Sequence, residues 1–202
     1  KETQDKSNNI ITSPLLLSLL YLNDDSASSQ IIYSLVEAGA DINYKDEEGS
    51  SLFLLACEKG RTDVIKLLLK KMKKEKNENS NIKNILNDKA KNGGGLHYAI
   101  YGNKDDVIEL LLENNIDLNI VNSQGDNALQ LALQEKQMNT FKVILDYIRE
   151  NKELTNEEKK KILNHQNNEG NTILHELSFA KSTVVTGIVF KLPEEIRVNP
   201  SI

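Results

Sequence analysis

The apolar positions of this chain recur in paired short runs. Phe53-Leu54-Leu55-Ala56, Leu96-His97-Tyr98-Ala99, Leu129-Gln130-Leu131-Ala132 and Leu174-His175-Glu176-Leu177 each open a helical pattern. Fourteen residues beyond each leading residue a second apolar triplet begins, at Leu67, Leu110, Val143 and Ile188. Apolar residues at three- and four-residue spacing predict amphipathic helices, and runs this short predict two helices per unit. The same punctuation stands before every pair: an asparagine followed six residues later by a glycine, at Asn43/Gly49, Asn87/Gly93, Asn119/Gly125 and Asn164/Gly170. A glycine there suits a turn that needs positive φ before a helix N-terminus. Ser13, Ser51, Asn127 and Thr172 then stand as N-caps, Pro14 suits a first helical turn, and Gly60 and Asn103 can end inner helices in the left-handed conformation. A helix pair this small cannot bury its own apolar stripe, so the units must stack.

The units are unequal. Successive asparagines are 44, 32 and 45 residues apart, so a short unit lies between two long ones. Both additions, Lys70 to Leu86 and Leu145 to Leu163, follow the second helix and end in Ile-Leu-Asn. Thr155 to Glu158 reads as a capping box and Ser80 as a cap for Asn81 to Leu86. The expectation is an extended outer helix or a loop, followed by one extra helical turn. In the short unit Gly93-Gly94-Gly95 absorb a deletion at the helix entry, which makes that turn the softest expected. The first unit carries extra residues around Asn23 to Ser28, and the last has a β-branched second helix, Thr183 to Phe190.

Gly93 to Asn119, GGGLHYAIYGNKDDVIELLLENNIDLN, and Leu35 to Asn43, LVEAGADIN, resemble the ankyrin repeat, as do Ser13-Pro14-Leu15 and Thr172-Ile173-Leu174-His175. That resemblance, in units of about 33 residues, implies an all-α fold: a solenoid of stacked helix-turn-helix units with short hairpin-like turns. It implies one ankyrin-repeat domain over 1–202, with repeats at about 12–45, 46–86, 87–121, 122–163 and 164–195. It also implies that His97 and His175 hydrogen-bond neighbouring backbone. Partners of such proteins are held by the turn tips and the exposed ends of the inner helices, which line a concave face. Carried over by position, the candidates are Lys45, Glu47, Glu48, Glu58, Lys59, Lys89, Lys91, Tyr101, Ser123, Gln124, Gln134, Glu135 and Phe179, with Ser50, Gly94 and Asp126 beside them. Interfaces concentrate energy in a few aromatic anchors, which favours Tyr101 and Phe179, although Phe179 could equally belong to the core.

Composition and charge narrow the chemistry. The formal net charge is -5 and the pI near 5.4, which argues against a nucleic-acid footprint, normally a net-basic face. The longest apolar runs, Leu15 to Leu22 and Val184 to Phe190, fall far short of the roughly 20 residues of a membrane span; the first reads as a core helix and not as a signal segment. Cys57 is the one cysteine, so no intrachain disulfide forms, and its position predicts a buried, inert thiol. A Cys57/His97 nucleophilic pair has nothing to orient it. Gly93-Gly94-Gly95 lack the strand and the Lys-Ser/Thr of a phosphate loop, and Asp105-Asp106 and Glu157-Glu158 lack calcium-loop spacing. Lys70 to Lys76, the basic cluster, reads as a solvated helix end.

The sequence therefore predicts no catalytic residue, no cofactor and no metal. It predicts a monomer that binds another protein through the concave face, without nucleic acid or membrane insertion. The alternative is a targeting or substrate-binding fragment of a larger microbial effector or enzyme. Arginine occurs only at 61, 149 and 197 against abundant Asn, Lys and Ile, as in AT-rich genomes, which makes a host-directed effector one form of that expectation.

Overall fold

The computed structural model describes residues 13–21, 26–73, 78–180, 187, 189 and 192–199. Helix pairs follow one another along the chain: α1 (Pro14–Tyr21) with α2 (Ser26–Glu37), and α3 (Leu52–Lys59) with α4 (Thr62–Lys73). After α5 (Glu78–Leu86), β1 (Lys89–Ala90) and β2 (Gly93–Gly94) come α6 (Gly95–Tyr101) with α7 (Asp105–Glu113), and α8 (Ala128–Gln134) with α9 (Met138–Glu150). The described chain closes on α10 (Asn156–Leu163), α11 (Ile173–Ala180) and a 3-10 turn at Glu194–Ile196. The inner helices α1, α3, α6, α8 and α11 stack in chain order, and α2, α4, α7 and α9 stack outside them. This is the all-α solenoid the periodicity predicts. Of the second helix expected at Thr183 to Phe190, only Gly187 and Val189 lie within the described residues, and both are helical. Leu22 to Asp25 in the first repeat, and Lys74, Glu75 and Lys76 of the basic cluster, lie outside them. Among the described residues no helix is long and apolar enough to cross a membrane.

Position in the stack explains each helix's composition. Inner helices are enclosed by their neighbours and their own outer helix, so Leu52 through Cys57 of α3 and Gly95 through Ile100 of α6 are buried without interruption. Outer helices are enclosed on one side only. In α7, Val107, Ile108, Leu110, Leu111 and Leu112 are buried while Asp105, Asp106, Glu109 and Glu113 are exposed, the apolar stripe of a surface helix.

Local signals set the ends. Ser51 Oγ accepts from the Leu54 amide at 3.3 Å, and Asn127 and Gln130 form a reciprocal capping box at 3.1 Å in each direction. Gly60 and Asn103 end α3 and α6 at φ 80 and 53. Thr155 and Glu158 form the expected box, with Glu158 N donating to Thr155 Oγ1 at 3.2 Å and Thr155 N to Glu158 Oε2 at 2.8 Å. Ser80 is not a cap, because α5 begins at Glu78 and Ser80 lies inside it.

The inserts are larger than one turn. Outer helices α4 and α9 run 12 and 13 residues against nine in α7, and each is followed by a separate helix, α5 of nine residues and α10 of eight. The shared Ile-Leu ending explains why both stay attached: Ile85, Leu86, Ile162 and Leu163 are buried. Apart from Ile82 in α5, the rest of each insert helix is polar, which hid its length from apolar periodicity. The triple glycine also has a packing role. A Cβ on Gly95 would meet the Phe53 ring at 3.0 Å and one on Gly94 would meet Ile120 at 3.0 Å. The deletion leaves a hairpin with Lys89 opposite Gly94 and Ala90 opposite Gly93, so these glycines lie in close contact and not in an open turn.

Candidate partner-binding face

Three of the turn tips are built alike. Asp46, Asn122 and Asn167, each three residues before a glycine, accept two backbone N–H groups on one side-chain oxygen: Glu48 and Ser50, Gln124 and Asp126, and Glu169 and Asn171. The same residue's amide takes the carbonyl four residues on, at 3.0 Å in each tip. A short carboxylate or carboxamide that folds onto its own backbone fixes such a turn without a core. Ala90 replaces it in the third repeat, where the β1–β2 ladder does the work instead. Sequence reading missed these three residues; their recurrence three before glycine was the signal.

Tips are tied to one another as well as to their helices. His97 Nδ1 accepts from Gly94 N at 3.3 Å and its Nε2 lies 2.9 Å from the Asp126 carbonyl, so Nε2 carries the proton and donates to the next tip. Burial lowers the His97 pKa, which preserves that neutral tautomer. Gln130 does the same in the fourth repeat: its Oε1 accepts from Asn127 N and its Nε2 donates to the Asn171 carbonyl at 2.6 Å. His165 donates from Nε2 to the Gly125 carbonyl at 2.6 Å, and the Asn168 amide donates to the Gln124 carbonyl at 2.9 Å. With both His97 nitrogens engaged and the Cys57 thiol pushed up by burial and by Asp88, His97 serves as a tie between repeats. His175 accepts from Thr172 N on Nδ1 at 3.1 Å, locking its own helix start.

The predicted residues divide by burial. Glu47, Glu48, Lys59, Lys89, Lys91, Ser123, Gln124, Gln134 and Glu135 are exposed on tips and helix ends, and Glu58 is half-buried. Lys45 pairs with Asp88 at the base of the next tip, so it joins two repeats as well as facing solvent. Ser50, Gly94 and Asp126 are buried and face neighbouring repeats, because stacking of the tips covers alternate side chains. Ser50 meets the Tyr98 hydroxyl at 2.7 Å. Tyr101 is 42% exposed and Phe179 72% exposed; Phe179 is thus a surface side chain and not core.

A polar network runs from the Tyr101 hydroxyl to Glu176. Asn122 Nδ2 reaches the Tyr101 hydroxyl and Asp126 Oδ2, both at 3.5 Å. Asp126 Oδ1 accepts from Asn167 Nδ2 at 2.7 Å and from Gln134 Nε2 at 3.2 Å, and Gln134 also donates to Glu176 Oε1 at 3.2 Å. Burial, joined by the carboxylates of Asp126 and Glu169, raises the Glu176 pKa. Side chains from three repeats are therefore held in one fixed arrangement.

Comparison with known proteins agrees with this geometry. A family model described as ankyrin repeats in many copies matches residues 96–145. The chain is 27% identical over 172 residues to an ankyrin repeat protein of Acanthamoeba polyphaga mimivirus, covering 79% of this chain and 20% of that protein. It is 25% identical over 130 residues to a subunit of nuclear factor NF-kappa-B from Gallus gallus, covering 64% of this chain and 12% of that protein. It is 37% identical over 57 residues to ankyrin repeat domain-containing protein 63 of Mus musculus, covering 28% of this chain and 14% of that protein. The chain thus spans a fifth or less of the length of these relatives. Paired helices stacked in order, tips hydrogen-bonded into the next unit, and the family match over residues 96–145 make this chain an all-α ankyrin-repeat solenoid, similar to ankyrin repeat proteins.

Proposed function

We propose that this array is a protein-binding module without catalytic activity of its own, and that it holds its partner on the face carrying Tyr101, Gln134 and Phe179. The observation that carries the reading is the exposure of two aromatic rings near the C-terminal ends of inner helices, at 42% and 72%, with a hydrogen-bonded network reaching the first of them, Tyr101. Exposed aromatics on a fixed scaffold lose little conformational entropy on binding and supply the anchors of most interfaces. Glu47, Glu48, Lys59, Lys89, Lys91, Ser123, Gln124 and Glu135 form the polar surroundings on the tips and helix ends. A second reading, in which the array presents a target or substrate within a longer effector or enzyme, draws on the small share of each relative that it spans.

The test is affinity capture by the wild type beside Tyr101→Ala/Phe179→Ala, with binding of each captured protein remeasured using purified components. A direct partner lost by the double variant, with a melting temperature within about 2 °C of wild type as expected of surface substitutions, supports the face. Equal binding by both proteins refutes it. A collapse of the melting temperature makes Tyr101 structural.

A further inference from the structure

We propose that the cleft between the two insert helices is a second binding site, shaped for an extended peptide segment bearing lysine or arginine. The repeat spacing creates it. Inserts follow the second and fourth repeats but not the third, so α5 and α10 flank a unit that has no insert of its own. Between them lies a cleft of about 540 Å³, within the range of roughly 300–1,000 Å³ of ligand sites. The turn after α7 lines it, with Ile82 and Leu86 contributed by α5, and Leu154 and Ile162 from the fourth-repeat insert.

The lining chemistry selects the occupant. Five asparagines face the cleft, and a carboxamide both donates and accepts, as the two polar groups of a peptide main chain require. Three carboxylates, Asp117, Glu153 and Glu158, stand there against one cation, Lys83. Each carboxylate is held by one oxygen. Asn115 Nδ2 donates to Glu153 Oε2 at 3.0 Å and is itself positioned by the Tyr147 hydroxyl, which donates to Asn115 Oδ1 at 2.9 Å. Thr155 N and Oγ1 hold Glu158 Oε2 at 2.8 and 2.9 Å, and Asn119 holds Asp117 Oδ1 at 2.9 Å. The second oxygen of each has no hydrogen-bond partner among the described residues. Negative charge is thus fixed in place before a ligand arrives, beside apolar side chains that a small polyamine would leave unmatched. Because the helices of each pair run antiparallel, this cleft lies by the C-terminal ends of the outer helices. Tyr101 and Gln134 lie at the C-terminal ends of inner helices, so the two sites can be occupied independently.

A displayed library of random heptapeptides, selected on the purified protein, tests this, with enriched sequences remeasured by fluorescence anisotropy. Selection should enrich peptides carrying Lys or Arg. Reversing charge in the cleft should act with opposite signs: Glu153→Lys weakening binding about tenfold and Lys83→Glu strengthening it severalfold. Both positions are exposed, and the second variant retains the test should the first alter the fold. Tyr101→Ala/Phe179→Ala should leave these peptides bound. No enrichment, enrichment without Lys or Arg, cleft variants with no effect or the reverse effect, or loss of binding in the Tyr101/Phe179 variant would each overturn the proposal.

Discussion

Gly102→Ala should destabilise the array although the backbone welcomes it. Gly102 follows α6 at φ -76 and ψ -9, a conformation alanine adopts freely, and replacing glycine in such a position normally gains up to about 1 kcal/mol. The obstacle comes from another repeat. An added Cβ would sit 2.0 Å from the Glu58 carbonyl oxygen and 2.8 Å from its carbon. Those are backbone atoms at the end of α3 and cannot rotate away, so α3 and α6 must separate by about an ångström or the turn must shift. Overpacking costs of about 1–3 kcal/mol or more exceed the gain, for a net loss of roughly 2 kcal/mol. In urea, with a slope of about 3 kcal/mol/M, the unfolding midpoint falls by roughly 0.7 M. The wedge also weakens coupling between the second and third repeats, so one transition should broaden or split in two. Gly170→Ala is the control: φ is 81 with nothing within 4 Å, and its cost is backbone strain alone, about 1–2 kcal/mol, without splitting. An unchanged or higher midpoint in Gly102→Ala would refute the close-approach argument.

Three further outcomes follow from individual groups. Asn122→Ala removes the acceptor for the Gln124 and Asp126 amides, at 3.0 and 2.9 Å; leaving a buried amide unpaired should cost about 1–3 kcal/mol, and hydrogen exchange at Asp126 should accelerate, whereas unchanged protection would exclude the role given to the tip. Burial lowers the His97 pKa from 6.5, so its stabilising contribution is complete above the unfolded value and declines as pH falls toward the native one. His97→Gln, which can keep both hydrogen bonds as Gln130 does, should therefore lose less melting temperature than wild type between pH 7.5 and 5.5; equal losses would rule the imidazole out. Glu176, whose pKa is raised from 4.5 chiefly by burial, opposes this trend above that pH and is constant in the comparison. Cys57 is fully buried and its pKa is raised, so labelling by a thiol reagent should track unfolding of α3, and rapid labelling of the native protein would contradict that placement.

What the sequence revealed was what depends on near neighbours along the chain. Leucine-led runs at helical spacing, glycines at positive φ and the Thr155–Glu158 box each express a local rule, and each appears where expected. His97 was legible for a related reason: the motif places its ring over its own helix start, and its second nitrogen then reaches whatever stacks next. The features that escaped are set across repeats. Gly102 has an ordinary φ, and only Glu58, on the preceding inner helix, makes its missing side chain matter. Asp126 looks like a polar tip residue until the fifth repeat stacks over it and supplies Asn167. The insert helices escaped because α5 and α10 are anchored by an Ile-Leu pair at one end and, apart from Ile82, are polar, too sparse for a periodic signal. In a stacked array the interface between units fixes which polar residues face a partner and which face the next repeat. That is why Tyr101 and Phe179 remain on the surface while Ser50 and Asp126 do not, and why the cleft between α5 and α10 emerges only when repeats of unequal length are placed side by side.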